Sequence, residues 1–162
     1  MDGRRAPSPH AGGLAAMPQL DDFDAQAFDA LPIWGTLVER PIILVVDDEP
    51  DMGAIIWRLL RDQWPHHEIM VATNAGDALQ RCVGRSVALL IADVYMPDIS
   101  GVQLAAKLKV LAPETPVLLI TAYPTPILDR LVQQQGIQSY LRKPFPLLDL
   151  ERLVVATLGY RL

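Results

Sequence analysis

From Pro41 onward, apolar and polar positions follow a repeating grammar: a short apolar run, a polar turn, then apolar residues at helical spacing. The first run is Ile42 to Val46, and after Pro50 the residues Met52, Ile55, Ile56, Leu59 and Leu60 fall on one side of a helix. The second run, Glu68 to Ala72, is weaker, and it leads to a helix with Asn74 as N-cap and Ala75, Ala78, Leu79 and Cys82 facing inward. Val87 to Ala92 is apolar throughout, as a strand covered on both faces should be. Its helix, after Gly101, carries Leu104, Ala105, Leu108 and Leu111. Pro116 to Ile120 makes the fourth run, and Thr125 before Pro126 reads as N-cap and N1 of a helix ending at Gly136. Ser139 to Leu141 is the fifth run and Pro146 to Leu158 the closing helix. Five strand-helix units in series predict an α/β fold, a parallel sheet with helices on both faces.

The first forty residues do not share this grammar. Residues 1–18 hold ten Ala, Gly and Pro with no apolar period, which predicts a flexible tail. Residues 19–40 read as a short amphipathic helix and a linker. Leu20, Phe23, Ala27, Phe28 and Leu31 form one stripe, Asp21, Asp22 and Asp24 complement the helix dipole in its first turn, and Pro32 ends it. Such a helix packs on its own domain or serves as a docking or dimerisation element. Residues 41–162 then form the main domain.

Composition narrows the function classes. The chain has 162 residues, 51% of them hydrophobic, so it can bury a real core without disulfides, and the lone Cys82 could not form an internal one. A net charge of −5, with no Lys/Arg cluster longer than two, argues against a nucleic-acid-binding module. Apolar runs of about six residues are too short to span a membrane, and no signal-peptide pattern leads the chain. A cytoplasmic location is the expectation.

In a parallel α/β sheet, ligands bind beyond the carboxyl ends of the strands. The polar residues that follow the runs are Asp47, Asp48 and Glu49 after the first, Asp93 after the third, Thr121 after the fourth, and Lys143 and Pro144 after the fifth. Singly, each could be a solvated turn or a strand-end residue. Together they bring carboxylates, a hydroxyl and an ammonium to one rim, and folding alone requires no such arrangement. Two carboxylates about 4 Å apart repel by roughly 4 kcal/mol at an effective dielectric of 20, so a compensating cation is implied. Oxygen ligands without a His or Cys cluster suit Mg²⁺ better than zinc. Phosphoryl transfer uses such a set, and Asp93, leaving the central strand, is the strongest nucleophile candidate.

Asp47-Asp48-Glu49, the Asp93 segment running Asp-Val-Tyr-Met-Pro-Asp-Ile-Ser-Gly, Thr121-Ala122, and Tyr140-Leu-Arg-Lys143-Pro144-Phe145 together resemble the receiver domain of two-component response regulators. The resemblance covers Pro41 to Leu162 and implies a CheY-like, flavodoxin-like doubly wound sheet of strand order 2-1-3-4-5. It implies that Asp93 accepts a phosphoryl group from a phosphohistidine of a sensor histidine kinase or histidine phosphotransfer protein. Asp48, Asp93 and the Tyr95 carbonyl would bind Mg²⁺ directly, with Asp47 holding it through water. Thr121 and Lys143 would contact the phosphoryl oxygens, and the bond before Pro144 would be cis. Thr121 and Tyr140 would form a switch: the hydroxyl moves toward the phosphoryl group and the ring follows, altering the face made by the fourth helix, fifth strand and fifth helix. A downstream protein would read that face.

Tyr95 and Tyr123 each stand two residues beyond a site residue, where their bulk would obstruct the hydrolytic water and slow dephosphorylation. Pro124 and Pro126 stiffen the entry to the fourth helix. The chain stops near the end of the fifth helix, so a stand-alone regulator acting by contact is the expectation. A phosphorylation-independent receiver-like scaffold is an alternative, although no site residue is lost. A haloacid dehalogenase-type phosphatase would need Asp-x-Asp after the first run, where the chain has Asp47-Asp48-Glu49, and its late acidic pair is missing.

Overall fold

A computed structural model describes residues 39–159, and the expectations for the tail and amphipathic helix of residues 1–38 lie outside the described residues. Ten elements alternate as predicted: β1 (Ile42–Val46), α1 (Pro50–Arg61), β2 (Glu68–Ala72), α2 (Ala75–Cys82), β3 (Val87–Asp93), α3 (Gly101–Leu111), β4 (Val117–Thr121), α4 (Pro126–Gln134), β5 (Ser139–Arg142) and α5 (Leu147–Leu158). All pairings are parallel and the strand order is β2-β1-β3-β4-β5.

Local chemistry sets the helix starts. Pro50 opens α1, the Asn74 side chain accepts the Asp77 amide at 2.8 Å ahead of α2, and Ser100 forms a capping box with Gln103 ahead of α3. The Thr125 hydroxyl accepts the Leu128 amide at 3.1 Å before Pro126 opens α4. Alternation along the strands splits the core in two. Ile42, Leu44, Val46, Leu90, Ala92 and Leu119 pack against α2, α3 and α4, while Ile43, Val45, Leu89, Ile91, Leu118 and Ile120 pack against α1 and α5. Each central strand is therefore covered on both faces, which explains its unbroken apolar run.

Two expected inward residues face out. On α1 the buried stripe is Gly53, Ile56 and Leu60, and Gly53 lies so close to β2 that a Cβ there would meet Val71 Cγ1 at 2.7 Å. That close approach fixes the helix's rotation and leaves Ile55 exposed. Leu111, the last residue of α3, is exposed beyond the reach of the core that ends at Leu108. The fourth helix stops at Gln134, just before the predicted Gly136, and the Lys109 ammonium donates to the carbonyls of Gln135 and Gly136 at 2.8 Å each.

Candidate functional site

The carboxyl ends of β1, β3, β4 and β5 carry the predicted residues to one rim. Asp47 follows β1 and is 1% exposed, Asp93 ends β3 at 6%, and Thr121 ends β4 fully buried. Lys143 follows β5, and its amide donates to the Thr121 carbonyl at 2.7 Å, which ties the β5–α5 loop to β4. Its ammonium donates to Asp93 Oδ2 at 2.5 Å, Asp47 Oδ2 at 3.1 Å and Glu49 Oε1 at 3.3 Å. The other oxygens of the buried pair are also used: Asp47 Oδ1 accepts the Glu49 amide and Asp93 Oδ1 the Tyr95 amide, both at 2.9 Å. The Lys143–Pro144 peptide is cis.

The electrostatics of this cluster are unbalanced. Carboxylate oxygens of Asp47, Glu49 and Asp93 lie within 4.8 Å of one another, so three negative charges face one ammonium. Burial pushes the Asp47 carboxyl above its ordinary range, outweighing the Glu49 amide and the Lys143 ammonium, which pull it down. Burial alone would lower the Lys143 ammonium, but its bonds to Asp93 and Asp47 more than reverse this and hold it above the ordinary lysine range. Lys143 is therefore charged at neutral pH. The excess of two negative charges equals the charge of a divalent cation, and an all-oxygen donor set fits Mg²⁺.

Glu49 is the cluster member that sequence reasoning did not name as a ligand. Pro50 at N1 makes Glu49 the N-cap of α1 in an extended conformation, and its side chain makes no capping bond, which leaves it available to Lys143. Pro50 was the legible signal. Asp48 is exposed and stands outside the Asp47–Glu49–Asp93 group.

The expected switch residues sit beside the cluster. Thr121 Oγ1 accepts the Tyr123 amide at 3.1 Å. Tyr140, paired in register with Leu119, is half-buried against the α2–α3–α4 side, and its hydroxyl donates to Asp129 Oδ1 on α4 at 2.7 Å. That bond holds the phenol proton and raises the Tyr140 pKa. Tyr95 and Tyr123 are both exposed at the rim, and the Tyr95 hydroxyl donates to the Tyr123 carbonyl at 3.3 Å. On the Lys143 side of the site, Met52, Ile55, Ala122, Pro144, Phe145 and Leu147 join Lys143 in lining a largely apolar cleft of about 480 Å³.

Sheet order and rim chemistry together define a flavodoxin-like α/β domain built to handle charge at the carboxyl edge of its sheet. A family profile described as the response regulator receiver domain matches residues 43–155. The chain belongs to the response regulator receiver domain family. It is 36% identical over 114 residues to an uncharacterized 14.6 kDa protein from Leptolyngbya boryana, covering 69% of this chain and 86% of that one. It is 38% identical over 114 residues to the response regulator protein FleR of Pseudomonas aeruginosa, covering 67% of this chain but only 23% of FleR. The CheY-like receiver domain from Methanospirillum hungatei superposes with a TM-score of 0.67 over 74% of this chain and 94% of its own, at 24% identity, which establishes the shared fold. No helix among the described residues is long and apolar enough to cross a membrane.

Proposed function

We propose that this chain is a cytoplasmic response regulator receiver whose Asp93 accepts a phosphoryl group from a phosphohistidine on a sensor histidine kinase or phosphotransfer protein. The observation that carries this reading is the Lys143 ammonium shared between Asp93 and Asp47 at 2.5 and 3.1 Å. In the transfer, the phosphorus–nitrogen bond to the donor imidazole breaks, an Asp93 oxygen bonds to phosphorus, and the imidazole takes up a proton. Lys143 meets the charge on the phosphoryl oxygens, and the buried Thr121 hydroxyl orients them. Asp47 and Asp93, with Glu49 at the mouth, form the acidic group that would hold Mg²⁺, and the neighbouring Asp48 and the Tyr95 carbonyl would complete its oxygen ligands. When bound there, such a cation would supply charge neutralisation at the acceptor.

A phosphoryl group adds up to about two negative charges beside Thr121. Pulling that hydroxyl away from the Tyr123 amide frees the β4–α4 loop. Tyr140 then exchanges its Asp129 partner for the space behind Thr121, and the α4–β5–α5 face changes for a downstream protein or a second copy. The exposed cleft bounded by Ile55 and Leu147 offers a phosphodonor an apolar seat next to the acceptor. Tyr95 and Tyr123 at the mouth make autodephosphorylation slow.

Incubation with Mg²⁺ and phosphoramidate, followed by intact mass, tests the reading. The expected result is one added phosphoryl group on wild type and none on Asp93→Asn. Retention in Asp93→Asn with loss in Asp47→Asn would favour the dehalogenase-type phosphatase. No addition to any chain would favour the scaffold.

A further inference from the structure

The two loops that flank the acceptor are joined by a circuit of three hydrogen bonds that bridges β3 and β4. Asp93 Oδ1 accepts the Tyr95 amide at 2.9 Å, the Tyr95 hydroxyl donates to the Tyr123 carbonyl at 3.3 Å, and the Tyr123 amide donates to Thr121 Oγ1 at 3.1 Å. The two rings also pack edge to face, with centroids 5.8 Å apart and planes at 77°. The circuit therefore runs from the acceptor carboxylate of β3 to the buried hydroxyl of β4 through two tyrosines at the mouth of the pocket. These residues are 28 positions apart in sequence, and the ring contact and the hydroxyl bond reinforce one another.

The circuit has one weak joint. Thr121 is anchored in the sheet, Lys143 holds its carbonyl, and on the far side Thr125 caps α4 ahead of Pro126. Residues 122–124 span these two fixed points, and Tyr123 in their middle is held from outside by Tyr95. The joint between the tyrosines is exposed, and its hydrogen bond is the longest of the three.

We infer that Tyr95 is a clasp: its hydroxyl holds the β4–α4 loop closed over Asp93, and its release admits the phosphodonor and lets the Thr121 hydroxyl leave the Tyr123 amide. Tyr95 is thus a positioning residue that acts through the neighbouring loop, distinct from the bulk of its ring. The inference rests on the phosphoacceptor reading for its kinetic consequence and on the hydrogen-bond circuit alone for its effect on the loop.

Because the clasp uses the hydroxyl of Tyr95 but only the carbonyl and ring of Tyr123, two conservative variants separate it from ring bulk. Loss of one exposed hydrogen bond is worth about twofold to fivefold in an equilibrium constant. Tyr95→Phe should speed amide hydrogen exchange at Tyr123 by about that factor, with a loss of global stability in urea no larger than the same factor. It should raise the rates of Asp93 phosphorylation by phosphoramidate and of acyl-phosphate hydrolysis by a similar factor. Tyr123→Phe should match wild type in all three. Exchange and rates in Tyr95→Phe equal to wild type would overturn the clasp, as would equal acceleration in Tyr123→Phe. Failure of wild type to take up a phosphoryl group would remove the phosphoacceptor reading instead, and the exchange measurement would still decide the clasp.

Discussion

Replacing Lys143 by methionine keeps most of the stem and removes the ammonium that faces Asp47, Glu49 and Asp93. Two of those carboxylates are buried, and the side chain of Lys143 itself is only 13% exposed. Oxygens of the three acids lie within 4.8 Å of one another, and at that distance each pair of unit charges repels by about 3.5 kcal/mol at an effective dielectric of 20. Breaking a buried ion pair from one side costs about 3–5 kcal/mol. Because Glu49 and the mouth of the pocket meet water, the lower end applies, so Lys143→Met should lose about 3 kcal/mol at pH 7 in the presence of chelator. On a scale of about 3 °C per kcal/mol this is a fall in Tm of roughly 10 °C. Millimolar Mg²⁺ should then stabilise the variant more than wild type, since an ammonium and a divalent cation compete for the same carboxylates. Urea titrations with and without Mg²⁺ read both effects. A variant as stable as wild type in chelator, or an equal gain from Mg²⁺ in both proteins, would refute the electrostatic account.

Asp47→Asn tests the same cluster through pH. The Asp47 carboxyl sits above its unfolded value, so the folded state holds its proton more tightly and stability is lost as pH rises through the folded pKa. The variant should therefore be more stable than wild type at pH 7 and lose that advantage as pH falls toward 3.8; greater stability of wild type at pH 7 would contradict the assignment. At Gly101 a Cβ would collide with the Asp93 carbonyl oxygen, so Gly101→Ala should cost about 1–3 kcal/mol and slow phosphorylation of Asp93, and a urea midpoint equal to wild type would count against it. Tyr140→Ala should leave Asp93 phosphorylation intact and abolish the phosphorylation-dependent amide shifts along α4 and β5. Unchanged shifts would sink the Thr121–Tyr140 relay.

Most of the frame was legible because it depends on local pattern. The limits of β1 and β2 match their apolar runs, and the Asn74 and Thr125 caps stand where the sequence placed them. β3 extends one residue further, through Asp93 itself, and β4 begins at Val117, one residue after Pro116. The rotation of α1 was illegible, since it depends on Gly53 meeting Val71 of a different strand. The site was legible as a list of rim residues and illegible as a set of contacts. Glu49 joins the cluster only because Lys143, 94 residues away, reaches it, and Tyr95 finds Tyr123 across 28 residues. Lys109 reaches the end of α4 in the same way. No periodicity encodes such pairings, because two loops meet only once the sheet order has set which strands are neighbours.

An acyl phosphate on aspartate can be trapped by borohydride, which reduces the carboxyl carbon and leaves homoserine at the modified position. Treating the chain with phosphoramidate and Mg²⁺, reducing it, and sequencing its peptides by mass spectrometry locates the acceptor directly. Phosphoryl transfer to Asp93 requires homoserine at position 93 and aspartate retained at positions 47 and 48. Homoserine at position 47, or aspartate unchanged at all three, would contradict it.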